Sequence, residues 1–117
     1  MIFNRKKKDS WIDDLQKKYP GIRIVTPQDK INLLMGGIQQ LQGKGFHFQE
    51  ASQWMAIGNE YMTMGDLLYA KRAYQAGLEA IEKVEPDKEK LSLDKESFEG
   101  WVAGVRTELK EKLENIS

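Results

Sequence analysis

An all-α fold is what this chain predicts, on three observations. Apolar residues recur at steps of three and four in separate stretches, the spacing of one helix face. Capping residues and glycines stand where those stretches begin and end. Only one short run, Ile22 to Val25 (IRIV), has the β-branched alternation of a strand, and nothing obvious in the chain pairs with it. An extended connector is the simpler reading of that run.

Thr26 to Leu41 is the clearest helix. Thr26 suits an N-cap, and Pro27 sits where its missing N–H costs nothing. Asp29 favours the positive end of the helix dipole. Ile31, Leu34, Ile38 and Leu41 form the stripe, and Gly43 and Gly45 end it. Gly36 and Gly37 lie inside, where each costs about 1 kcal/mol against alanine. Close approach by a neighbouring helix would compensate that cost. A hinge is the other reading.

Before this helix, "DSWIDDLQKKY" reads as a short helix capped by Asp9 or Ser10, with Trp11, Ile12 and Leu15 on one side. Residues 1–8 read as a flexible basic tail, and 9–117 as a single helical domain. A second long helical pattern runs from Phe46 to the stop at Gly65-Asp66, and a third from Leu67 to about Val84, closed by Pro86. "EPDKEKLSLDKE" reads as a charged loop. Asp94 then caps a last helix over 94–116, striped by Phe98, Val102, Val105, Leu109, Leu113 and Ile116.

The middle of the chain has a more specific spacing. In "WMAIGNEYMTMGDLLYAKRAYQAG", Trp54, Ile57, Gly58 and Tyr61 are followed by Gly65, Ala70, Tyr74 and Gly77. The pattern W-x₂-I-G-x₂-Y, then A-x₃-Y, resembles the tetratricopeptide repeat, a helix–turn–helix of about 34 residues. The resemblance covers residues 51–85. Gly58 and Ala70 fall where two antiparallel helices would cross closely. Trp54, Ile57 and Tyr61 share one face, and Tyr74, Leu78 and Ile81 form the answering one. Pro86 comes later than the family pattern places it, which implies an additional turn on the second helix. The motif does not recur upstream or downstream, so the flanking helices serve as caps, or a second chain completes the stack.

The resemblance implies a hairpin of the right-handed α–α superhelix type and a concave groove lined by its first helix. The groove positions on that helix are Ser52, Met55, Asn59, Met62 and Thr63. Methionines suit adaptable apolar contact, and Asn59 can hydrogen-bond a peptide main chain. Met55 stands where a carboxylate-gripping lysine would be wanted, against a carboxylate clamp. Packing under a flanking helix is the competing reading of the methionines.

Composition narrows the classes. Eighteen basic residues balance eighteen acidic ones, which argues against a dedicated nucleic-acid binder and permits self-association. The absence of cysteine removes disulfides and thiolate chemistry and fits a cytoplasmic setting. No apolar run reaches the length of a membrane span, and "MIFNRKKK" lacks the apolar segment of a signal peptide. His47 is the single histidine, with no metal partners at ligand spacing. No phosphate loop or nucleophile elbow occurs. The expectation is a non-enzymatic adaptor without cofactor or metal. It would bind a protein or peptide partner, or another copy of itself, as a homodimer. The interface of such a dimer would lie on the Thr26 helix or the Phe98–Ile116 helix. The alternative is a nucleic-acid or membrane-surface accessory factor led by Arg5 to Lys8.

Overall fold

In the computed structural model, residues 17–18, 26–89 and 93–116 are described. The tail at 1–8, the Asp9 or Ser10 cap, the Trp11, Ile12 and Leu15 stripe and the IRIV connector lie outside them. Lys17 and Lys18 are helical, as the pattern before Pro20 predicts. Five further helices follow: α1 (Pro27–Leu41), α2 (His47–Thr63), α3 (Leu67–Glu82), α4 (Pro86–Glu89) and α5 (Lys95–Ile116).

The capping reading of α1 holds atom by atom. The Asp29 N–H donates to Thr26 Oγ1 at 3.1 Å, and the Thr26 N–H donates to Asp29 Oδ2 at 3.0 Å. This reciprocal box satisfies two of the donors that a helix start leaves free. Asp94 starts α5 in a related way, accepting from the Ser97 N–H at 2.8 Å and the Ser97 hydroxyl at 2.9 Å. Between α2 and α3, Gly65 takes a φ of +76°, a region other residues enter at a cost. Asp66 then caps α3 by accepting from the Tyr69 N–H at 3.2 Å.

The antiparallel hairpin of α2 and α3 is marked along its length by close pairs. Near the turn, the rings of Tyr61 and Tyr69 stack with centroids 5.4 Å apart. Midway, a Cβ on Gly58 would lie 2.4 Å from Tyr74 Cε1. At the far end, a Cβ on Gly77 would lie 3.3 Å from the Ala51 carbonyl oxygen. Gly58 therefore marks a tight crossing, and the ring it admits belongs to Tyr74. Ala70 is fully buried beside the same cluster.

Both flanking helices dock on this hairpin. α1 packs on α2, and α5 packs mainly on α3. The core accordingly has two parts. Ile31 and Ile38 of α1 meet Ile57 and Ala73, with Leu34, Trp54 and Tyr61 alongside. Phe98, Val102 and Leu109 of α5 meet Ala51, Ala70, Tyr74, Ala80 and Ile81, with Met55 and Leu78 alongside. Each fully buried large side chain contributes roughly 1.5–3 kcal/mol.

This division changes the expected pairing of faces. Trp54 and Ile57 cluster with α1 and with Ala73 of α3, whereas Tyr74, Leu78 and Ile81 cluster with α5, the Tyr74 ring lying also against Gly58 of α2. Tyr61 touches both clusters. The reason is that each hairpin helix has two helical neighbours, so its apolar side splits between them. The stripes of α1 and α5 are consequently buried within the chain, and these helices cap the hairpin.

Two further expectations change. α3 gains no additional turn: it stops at Glu82, where Lys83 and Val84 bond back three residues, to Ala80 and Ile81. The charged loop contains a helix, α4, which Pro86 opens. Proline is favoured in a first helical turn, so it starts this helix instead of closing the previous one. Gly37 faces the Gln53 side chain, whose Oε1 would lie 2.6 Å from an added Cβ, so close approach accounts for it. Gly36 has open space instead.

Gly58→Ala should destabilise the domain by about 1–3 kcal/mol, since the methyl group collides with a buried ring. Gly36→Ala should stabilise it by up to about 1 kcal/mol, through helix propensity alone. Urea unfolding followed by circular dichroism checks both. Equal effects would mean that Gly58 does not sit at a crossing.

Candidate functional site

The five groove positions all lie on α2; Asn59, Met62 and Thr63 are exposed there, and Ser52 and Met55 are half-buried. The Ser52 hydroxyl donates to the Phe48 carbonyl at 3.1 Å, and the Thr63 hydroxyl donates to the Asn59 carbonyl at 3.1 Å. Asn59 Oδ1 accepts the Tyr74 hydroxyl proton at 2.6 Å. Met55 is half-buried against the cluster that α5 completes. Met62 is the one large apolar side chain of the set that reaches solvent, at 40% exposure.

The Asn59–Tyr74 bond explains why a polar residue stands on this face. Tyr74 is only 1% exposed, and a buried phenol without an acceptor would be costly. Burial, and secondarily the Glu108 carboxylate, push the Tyr74 hydroxyl up to about 12. Lys112 Nζ lies 5.8 Å from its ring centroid. The bond from Tyr74 takes one of the two lone pairs of the Asn59 oxygen and none of its amide donors.

A different apolar surface appears at the open end of the hairpin. Met62, Met64, Leu67, Leu68 and Tyr69 are all substantially exposed there, Leu68 most at 59%. The Arg72 guanidinium lies 5.5 Å from the Tyr69 ring centroid. Lys30 of α1 reaches Glu60 at 3.7 Å on the same side. Of these apolar residues, sequence reasoning named only Met62 as a binding residue. The available signal was the Leu-Leu-Tyr run, of which Leu68 and Tyr69 fall outside the Tyr74, Leu78 and Ile81 stripe.

The closed end is built around Glu89. Phe46 precedes α2 and supplies no side-chain cap. Glu89, 41 residues after Phe48, supplies one: its Oε1 accepts the Phe48 N–H at 2.8 Å. Its Oε2 accepts the Glu85 N–H at 3.0 Å, at the start of α4. The residue is 8% exposed. Beside it, Phe46, Phe48, Leu93, Phe98 and Trp101 wall a cleft of about 140 Å³. The Phe48 and Phe98 rings meet at 5.3 Å, tilted by 58°. Trp101 stands 56% exposed at its side. Reading the α4 segment as a charged loop hid this role, because nothing in its spacing marks a long-range cap.

His47 borders a wider hollow of about 330 Å³ with Lys44, Glu85 and Lys88. Its Nδ1 lies 3.9 Å from Glu50 Oε1. Among the described residues, no group of three or more His, Asp or Glu side chains is placed to hold a metal ion. No described helix is long and apolar enough to cross a membrane. Comparison with family models, curated proteins and solved structures gave no match.

Stability should fall as pH rises from about 10 toward 12, through the Tyr74 hydroxyl. Its unfolded value is near 10, and the fold holds it up at about 12. The stabilisation of its neutral form is complete below the unfolded value and lost as pH climbs through the folded one. Tyr74→Phe should flatten this segment of the profile, measured by chemical unfolding across that range. An unchanged slope in the variant would assign the effect to other groups.

Proposed function

We propose that this chain is a non-catalytic helical interaction module. It holds a partner protein, or a second copy of itself, against α2 and the open end of the hairpin. One observation carries the reading: five large apolar side chains, Met62 through Tyr69, are gathered in solvent at that turn. Exposed apolar groups concentrated at one place mark interaction surfaces. Folding accounts for one of them, Tyr69, which stacks on Tyr61; the two core clusters form without the other four.

The likeness of the α2–α3 spacing to a tetratricopeptide repeat supports the same reading, with Ser52, Met55, Asn59, Met62 and Thr63 as the inner face of a groove. Met62 joins that face to the exposed patch. A single hairpin offers little area, so affinity for a helix or peptide is on the order of micromolar. Dimerisation would raise it by doubling the surface. The patch also carries Asp66 and Arg72, one charge of each sign, so a second copy meets no net repulsion.

The test is a double substitution, Met64→Ser with Leu68→Ser. Both side chains are exposed, so stability should change by less than about 0.5 kcal/mol each. Capture of partners from the native host, identified by mass spectrometry, should be lost. Light scattering across a dilution series should show a dimer for the natural chain and a monomer for the variant. An unaltered partner set and an unaltered mass together would remove the open end as the interface.

A further inference from the structure

At the closed end, the Glu89 carboxylate is buried beside an aromatic cleft, and no cation pairs with it among the described residues. Its two oxygens accept backbone N–H groups of Phe48 and Glu85, neither of which carries a full charge. A carboxylate has room for further partners after two such bonds.

We propose that this cleft binds a methylated ammonium group, held by the rings of Phe46, Phe48 and Trp101 and by the charge of Glu89. Three properties of the cleft select this group. The first is size. A cavity near 150 Å³ accommodates one benzene molecule, so about 140 Å³ takes a single small head group and nothing as large as a nucleotide.

The second is the sign of the charge. Closing the cleft with a neutral group strips water from the carboxylate and returns nothing. An anion adds repulsion. A cation offsets the lost hydration and also gains from the negative faces of the surrounding rings. The third is the shortage of acceptors for a ligand's donors. A primary ammonium brings three N–H groups that need acceptors. Besides Glu89, the only side-chain acceptor that the described residues bring to the lining is Gln49. A fully methylated, quaternary nitrogen needs no acceptor and presents methyl groups to the rings.

This site lies at the opposite end of the hairpin from the apolar patch, so the two readings stand independently. The experiment titrates the full chain with choline, and separately with 3,3-dimethylbutan-1-ol, its uncharged carbon isostere. Ionic strength is held constant, and the Trp101 indole N–H and Phe48 amide signals are followed by NMR. Choline should shift both signals with a Kd on the order of 1 mM, and the alcohol should bind at least about tenfold more weakly. Trp101→Ala should weaken choline binding at least about fivefold with the helical signal unchanged. Glu89→Gln should erase the preference for choline over the alcohol. Should that variant fail to fold, the isostere comparison and Trp101→Ala decide the matter alone. A peptide bearing trimethyllysine, titrated in parallel, assigns the source: tighter binding than choline points to a protein side chain, weaker to a free small molecule. Either order supports the methylated-ammonium class. Equal binding of choline and its isostere, silent Trp101 and Phe48 signals, or full affinity in Trp101→Ala would overturn it.

Discussion

The contact between Gly58 and Tyr74 is the constraint on which this fold depends. With no side chain at Gly58, α3 comes near enough for the Tyr74 ring to lie against the backbone of α2. The same closeness brings Gly77 against Ala51 and Trp54, and places Leu109 of α5 over the seam. α5 can then bury Phe98, Val102 and Leu109 on a surface made by both hairpin helices. A wider hairpin would split that surface. The polar end of Tyr74 adds a directional requirement that apolar packing lacks: its hydroxyl has to find Asn59 Oδ1. Packing distance and one hydrogen bond together define how the two helices slide along each other.

Glu89 does for the helix termini what Gly58 does for the helix crossing. α2 begins at Phe46 without a local cap, so its first donors need an acceptor from elsewhere. α4 is only four residues long, too short to persist alone, and it delivers that acceptor. The carboxylate sits where the positive end of the α2 dipole favours it. One side chain thereby ties the segment after α3 to the start of α2. It also leaves a negative charge beside the rings of Phe48 and Phe98.

Most of the helical order was legible because it is local. Thr26, Pro27 and Asp29 announce α1, Asp94 announces α5, and the α5 stripe shows its buried side directly. The small residues of the hairpin were legible because few residue types permit helices to approach so closely. What was not legible depends on partners distant in sequence. Trp54 and Ile57 have the spacing of a face, but spacing does not say that α1 covers it. The bond from Tyr74 to Asn59 was not legible either, because nothing near Asn59 reveals that a tyrosine fifteen residues on donates to its oxygen. Glu89 looked like one charge in a polar run, although its carboxylate lies inside the protein. Pro86 was read as a stop when it is a start, since the same residue suits both positions.

The two ends of the hairpin are built differently. At the closed end, a buried carboxylate, a short helix and an aromatic pair meet, and each satisfies a demand of the fold. At the open end, Met64, Leu67 and Leu68 satisfy none: the turn needs Gly65 and the Asp66 cap, and polar residues would serve beside them equally well. Apolar side chains in water add nothing to folding and carry a risk of unwanted association. A chain that keeps five of them at one turn, while burying the stripes of both flanking helices, has its core already complete. On the proposed reading, the surplus is contact surface for another molecule, set at the turn and away from the helix faces that the core consumes.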